Sequence, residues 1–188
     1  MAALVLLAGA VPSSAGTLKG TVKGPGGRSV SEAVVHLGEI PGKSFAAPST
    51  HAQVDQKEMV FIPHVQAVQV GTTVDFLNGD PMLHNVFSPE KCAEKFNLGS
   101  WPQGQARSYT FKQPCAVTLL CNVHPEMEAF IVVTPTPYFA VTDKNGAYSI
   151  ADLPDGNYTL NVWHPKLKES SQNVSVSGET TIDFELKK

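Results

Sequence analysis

Thr118-Leu119-Leu120-Cys121-Asn122-Val123-His124-Pro125-Glu126-Met127 runs from an apolar segment into a short loop bearing a thiol, an imidazole and a thioether at three-residue intervals. A soft thiolate, a borderline imidazole and a weak thioether are the donors of a trigonal copper site with a long axial methionine. Such a site lacks one imidazole. The chain offers it where an alternating run, Val74-Asp75-Phe76-Leu77-Asn78, gives way to Gly79-Asp80-Pro81-Met82-Leu83 and then His84-Asn85-Val86-Phe87. Cys121 alone reads equally as a buried thiol, and Met127 alone as core filling. Together with His124 and His84 they read as a ligand set. A c-type haem needs Cys-x-x-Cys-His, which is absent. A nucleophilic Cys-His pair leaves His84 and Met127 without a role.

The rest of the chain bounds what this loop sits in. With 188 residues, 42% of them hydrophobic and 16% charged, there is room for one large or two small domains. A formal charge of -3 and no Lys/Arg cluster longer than a pair exclude the electrostatic footprint of a nucleic-acid binder. Short alternating runs recur, and no window keeps an apolar 3.6-residue period for three turns, so an all-β chain is expected. Residues 1–15 join an apolar stretch to Pro12-Ser13-Ser14-Ala15, as a signal peptide cleaved before Gly16 does. The basic start of such signals is missing, which leaves a truncated signal or an apolar tail as alternatives. The apolar stretch and small-residue site favour export. No run is long enough for a transmembrane helix.

From Gly16, two alternating runs, Thr17 to Lys23 and Ala33 to Leu37, flank Gly24-Pro25-Gly26-Gly27 and read as a hairpin-like pair. Residues 39–50 read as a linker. Residues 51–134 hold short strands at sandwich spacing, with 92–105 irregular. Beyond Pro135 and Pro137, Asn145-Gly146 between alternating runs is the strongest hairpin signal in the chain.

Phe61-Ile62-Pro63, Val70-Gly71-Thr72-Thr73-Val74, Phe76-Leu77-Asn78, His84-Asn85-Val86 and Cys121-x-x-His124-x-x-Met127 together resemble the cupredoxins, the blue type 1 copper proteins. The three-residue spacing with Pro125 after the histidine is most similar to the amicyanins. The resemblance implies a Greek-key β-sandwich over residues 51–134. It also implies one type 1 copper held by His84, Cys121 and His124, with Met127 axial. Asn85 would tie the ligand loops from behind, and a backbone N–H would donate to the Cys121 sulfur. Met82, Leu83 and Pro125 would form an apolar docking patch for a redox partner. A cupredoxin trace puts Cys92 and Cys115 at the far end, where an oxidising compartment would join them as a disulfide; two free thiols are the alternative.

Gly20-Thr21-Val22, Ala33-Val34-Val35-His36-Leu37, the Thr142-Asp143-x-x-Gly146 turn and Leu153-Pro154-Asp155-Gly156-Asn157-Tyr158 resemble the carboxypeptidase regulatory-like, transthyretin-like sandwich. The expected architecture is therefore nested: residues 16–50 and 135–188 form one sandwich, with the cupredoxin inserted. Insertion at an exposed loop is tolerated because the loop ends stay close. The combination is similar to bacterial proteins labelled as methylamine utilization proteins. No zinc-peptidase signature is present.

His36, His51, His64 and His164 have no second donor at useful spacing and read as strand-end or loop residues. The leading functional reading is a periplasmic single-electron carrier, not an enzyme, that works with a redox partner protein. The alternatives are a copper-delivery module and a β-sandwich scaffold.

Overall fold

The computed structural model describes residues 15–188. The expected signal segment, residues 1–15, lies outside them but for Ala15. Seventeen strands follow one another, with only two short 3-10 turns, Pro25–Gly27 and Lys91–Ala93, among the described residues. The first two are Ala15–Lys23 (β1) and Val34–Leu37 (β2). The central nine are Ala52–Lys57 (β3), Val60–Ile62 (β4), Val65–Gln69 (β5), Thr73–Leu77 (β6), His84–Phe87 (β7), Asn97–Trp101 (β8), Ala106–Thr110 (β9), Cys115–Leu120 (β10) and Glu128–Thr134 (β11). The last six are Phe139–Val141 (β12), Ala147–Pro154 (β13), Gly156–His164 (β14), Leu167–Val176 (β15), Glu179–Thr181 (β16) and Phe184–Glu185 (β17).

The central nine pair only with one another, in sheets ordered β5-β11-β10-β7-β8 and β4-β3-β6-β9. Period-2 alternation fills the space between them: β6 turns Val74 and Phe76 inward, and β10 turns Val117 and Leu119 inward. Cys121 and Met127 belong to this same core. The outer strands form two further sheets, β13-β1-β16 with β17 also on β1, and β12-β2-β14-β15. Leu18, Leu37, Ile150, Leu153 and Leu160 fill the core between those two.

Strand β11 is buried on both faces. Ala129, Ile131 and Val133 face the central core, whereas Val132 joins Val34, Val65 and Ala67 in a third cluster, against which Phe139 and Trp163 pack. This cluster joins the central strands to β2, β12 and β14. At its edge the His64 imidazole lies 3.0 Å from the Glu32 carboxylate.

Three expectations are corrected. Strands β1 and β2 do not form a hairpin: they lie in different sheets, and Thr142 pins the crossing, accepting from the Ala33 N–H and donating to the Val30 carbonyl. The Asn145-Gly146 reversal is tight, with Gly146 at φ 76° and the Asp143 carboxylate accepting from the N–H of Asn145 and Ala147. Yet β12 pairs with β2 and β13 with β1, so this turn also links two sheets. Turn chemistry dictates a reversal of direction, while side-chain packing decides which sheet each arm joins. The segment 92–105, expected to be irregular, contains β8, whose Gly99 at φ 73° accompanies a register shift against β7 and hides the strand pattern.

Cys92 and Cys115 are disulfide-bonded, with Cα atoms 6.4 Å apart, tying the 3-10 turn to the start of β10. Opening this 23-residue link by replacing both cysteines with alanine is expected to cost about 2–4 kcal/mol, read from the urea midpoint. An unchanged midpoint would mean that packing alone holds the turn.

Candidate metal centre

Strand β10 ends at Leu120, so sheet packing fixes the height at which Cys121 leaves the core. The chain then reverses, closed by the Met127 N–H donating to the His124 carbonyl at 3.0 Å, and re-enters the sheet as β11. His84 opens β7, which pairs with β10 through Phe87 and Leu120. These two strand ends bring residues about 40 positions apart together: His84 Nδ1 is 3.1 Å from His124 Nδ1 and 4.0 Å from Cys121 Sγ. His84, Cys121 and His124 are the one such donor cluster among the described residues, with all donor atoms within 4.8 Å. Cys121 and His84 are buried and His124 is half-buried.

The arrangement fits one metal ion. An ion about 2.0–2.1 Å from each of two imidazole nitrogens, as zinc is, holds those nitrogens about 3–3.5 Å apart. The two Nδ1 atoms already stand at that separation. A thiolate with two imidazoles favours copper over a hard cation. Met127 is buried one residue before β11, in the core cluster that contains Cys121.

Behind the donors lies a hydrogen-bonded frame. His84 Nε2 donates to Asp80 Oδ2 at 2.8 Å; because an ionised carboxylate only accepts, the proton sits on Nε2 and Nδ1 is left with its lone pair for metal. Asp80 also accepts the N–H of Glu58 at 2.7 Å and of Met59 at 3.0 Å, two left-handed residues at the β3–β4 tip. Burial alone pushes the Asp80 carboxyl up, but the Met59 N–H, the His84 imidazole and the Glu58 N–H outweigh it and hold the group below the ordinary carboxylate value. Asn78 holds the loop above: its amide donates to the carbonyls of Met82 and Trp101, and its oxygen accepts the Asp80 N–H. Sequence reading missed both Asp80 and Asn78. The signal was there in a carboxylate four residues before a candidate imidazole, but only the loop's curvature brings the two into contact.

Asn85 is buried and reaches both sides. Its oxygen accepts the Asn122 N–H at 3.2 Å, and its amide donates to Asn97 Oδ1 at 2.9 Å and to the Gly99 carbonyl at 2.7 Å. Its own backbone N–H points at Cys121 Sγ, 3.5 Å away. Trp101, opposite His84 across β7–β8, is fully buried under the Arg107 guanidinium. Met82 and Leu83 are exposed before His84, and Pro125 is exposed after His124.

The remaining histidines stay out of the cluster. His36 Nδ1 meets the Leu37 carbonyl, His51 pairs with Asp75, His64 with Glu32, and His164 Nδ1 accepts the Lys166 N–H.

Comparison with known proteins gives two family matches. Residues 48–134 match copper binding proteins of the plastocyanin/azurin family, and residues 125–187 match the carboxypeptidase regulatory-like domain. None of the curated proteins compared matches. Among solved structures, the Cu-containing nitrite reductase of Thermus scotoductus SA-01 is 25% identical with a TM-score of 0.43, over 52% of this chain and 25% of that one. This chain thus spans about a quarter of that enzyme. Amicyanin from Paracoccus versutus is 25% identical, with a TM-score of 0.42 over 46% of this chain and 84% of its own. A purple cupredoxin from Nitrosopumilus maritimus is 22% identical, with a TM-score of 0.40 over 44% of this chain and 99% of its own.

Proposed function

With a copper-binding domain of the plastocyanin/azurin family over residues 48–134 and a carboxypeptidase regulatory-like domain over residues 125–187, this chain, we propose, is an exported, periplasmic type 1 copper protein that carries single electrons between partner proteins. It works by outer-sphere transfer and is not an enzyme. We assign His84, Cys121 and His124 as the residues that would hold the copper, with the thioether of Met127 as its weakest donor. The convergence of two Nδ1 atoms and one sulfur at metal-binding separations carries the reading. Copper bound there supplies a one-electron couple.

The residues do the rest. Asp80 and Asn85 keep the donors in place, so that little has to move when the charge at the centre changes. Burial of His84, Cys121 and Met127 excludes water. His124, half-buried and followed by the exposed Pro125, would offer the edge through which an electron leaves, and the exposed Met82 and Leu83 before His84 would complete the docking patch. Residues 51–134 are best taken as a domain inserted into a sandwich built from 16–50 and 135–188, a division supported by the separate pairing of β3–β11. The disulfide supports export. No described helix is long and apolar enough to cross a membrane.

The test is the optical and EPR spectrum of the Cu(II)-loaded protein beside Cys121→Ser. An intense visible thiolate-to-copper band with narrow hyperfine splitting is expected, and it should be lost in the variant. An ordinary weak Cu(II) spectrum would remove electron transfer and favour copper delivery, in which the metal is cargo.

A further inference from the structure

We propose that the cleft between the two sandwiches binds a small organic cation, one that carries N–H donors on a planar head beside an apolar body. This does not rest on the electron-carrier reading. The seam that joins the sandwiches packs Val132 against Val34 and Trp163. Beside it a cleft of about 400 Å³ stays open between β14–β15 on one side and β10–β11 on the other. Hollows of this size, placed where two domains meet, suit small ligands.

Strand register builds one wall. Val35, Leu37, Leu160, Val162 and Val174 face the core of their own sandwich, so alternation turns the residues between them to the opposite face. His36 pairs with Asn161 and Asn161 with Ser171, which sets three polar side chains in one row across β2, β14 and β15. Trp163 and Glu169 follow two positions further along the same face. A polar sheet face ordinarily meets water. Here the central sandwich roofs it with Pro114, Ala116 and Val132.

The polar wall also fixes the charge of what fits. Glu169 is the one Asp, Glu, Lys or Arg that lines the cleft, and it has no ion-pair partner among the described residues. His36 Nδ1 lies 3.0 Å from the Leu37 carbonyl, which can only accept, so the proton sits on Nδ1 and Nε2 is left as an acceptor. Burial pushes the His36 pKa down by more than the Leu37 carbonyl and Glu169 push it up, and the ring stays neutral. A carboxylate beside a neutral acceptor calls for N–H donors that carry positive charge. The half-buried Trp163 ring adds an aromatic face, and Ala116 and Val132 receive the apolar body. An anion would meet Glu169 with no cation in the cleft to offset it. The neighbouring hollow beyond Pro114 and Pro135 holds both Glu39 and Lys43 and adds no net charge.

The test titrates three probes of matched size and shape, benzamidinium, benzamide and benzoate, into the isotope-labelled full chain and follows its amide chemical shifts. Benzamidinium, with about nine non-hydrogen atoms, is expected to saturate with a dissociation constant of about 1 mM. The largest shifts should fall at His36, Asn161, Trp163 and Ser171. Benzamide should bind about three- to tenfold more weakly, as loss of one nearby charge pair requires, and benzoate should not saturate below about 20 mM. Glu169 is exposed at the mouth, so Glu169→Gln leaves the core intact; it should bring benzamidinium down to the affinity of benzamide and leave benzamide unchanged. Glu185→Gln, on the sheet of β1, removes the same charge and should move benzamidinium by less than about twofold. Ser171→Trp sets a ring into the cleft and should abolish binding of both. Equal affinities for benzamidinium and benzamide, tighter binding of benzoate, or an equal loss in Glu185→Gln would overturn the cationic ligand. Binding that survives Ser171→Trp, or no saturation by benzamidinium below about 20 mM, would overturn the cleft as a site.

Discussion

Asp80→Asn is expected to weaken copper binding by about 10- to 100-fold and to destabilise the metal-free protein by about 2–3 kcal/mol near neutral pH. One buried carboxylate serves three donors here, the Nε2–H of His84 and the backbone N–H groups of Glu58 and Met59. An amide offers a single acceptor oxygen, and its NH2 group would be set against another donor. His84 is then free to rotate or to place its proton on Nδ1, the atom that faces His124 and Cys121. The pH dependence follows from the lowered carboxyl. Its ordinary value is about 3.9. Stability from the ionised form is therefore complete above about pH 4 and is lost as pH falls through the lower native value. Urea melts of the two proteins should differ at neutral pH and converge in acid; an undiminished gap near pH 2 would show that the ionised carboxylate is not the source. Copper affinity is read separately by competition with a chelator.

Asn85→Ala removes the side chain that bonds the Asn122 end of the Cys121–Met127 loop to β8. The Asn122 N–H, Asn97 Oδ1 and the Gly99 carbonyl each lose a partner. At about 1 kcal/mol net for each bond, a loss of roughly 2–3 kcal/mol is expected. The larger consequence is electronic. The Asn85 backbone N–H points at the Cys121 sulfur, and such a donor favours the more electron-rich, reduced centre. A looser loop weakens that contact and lowers the potential by some tens of millivolts; about 59 mV corresponds to a tenfold change in the ratio of the two oxidation states' affinities. Voltammetry and EPR of the copper-loaded variant test this. An unchanged potential and spectrum would leave Asn85 with a purely structural role.

Much of this protein is legible in its sequence because much of it is local. The spacing of Cys121, His124 and Met127 confines three donors to one short reversal, whatever surrounds it. Period-2 alternation in 73–77 and the apolar run into Cys121 announce strands, and Asn145-Gly146 announces a tight turn. Each of these is settled by backbone sterics and by the few residues involved. What the tertiary structure decided is every relation across long stretches of chain. His84 meets His124 through the pairing of β7 with β10. Asp80 serves His84 because its loop curls over the β3–β4 tip. The arms of two apparent hairpins separate into different sheets because Val22, Val30 and Ala33 are buried on both sides of the crossing. Val132 points away from its own core into the seam with Val34, Val65 and Trp163. A chain's local pattern sets what each segment can present, but which distant surface buries it depends on the packing of the whole, and that has no short-range signature.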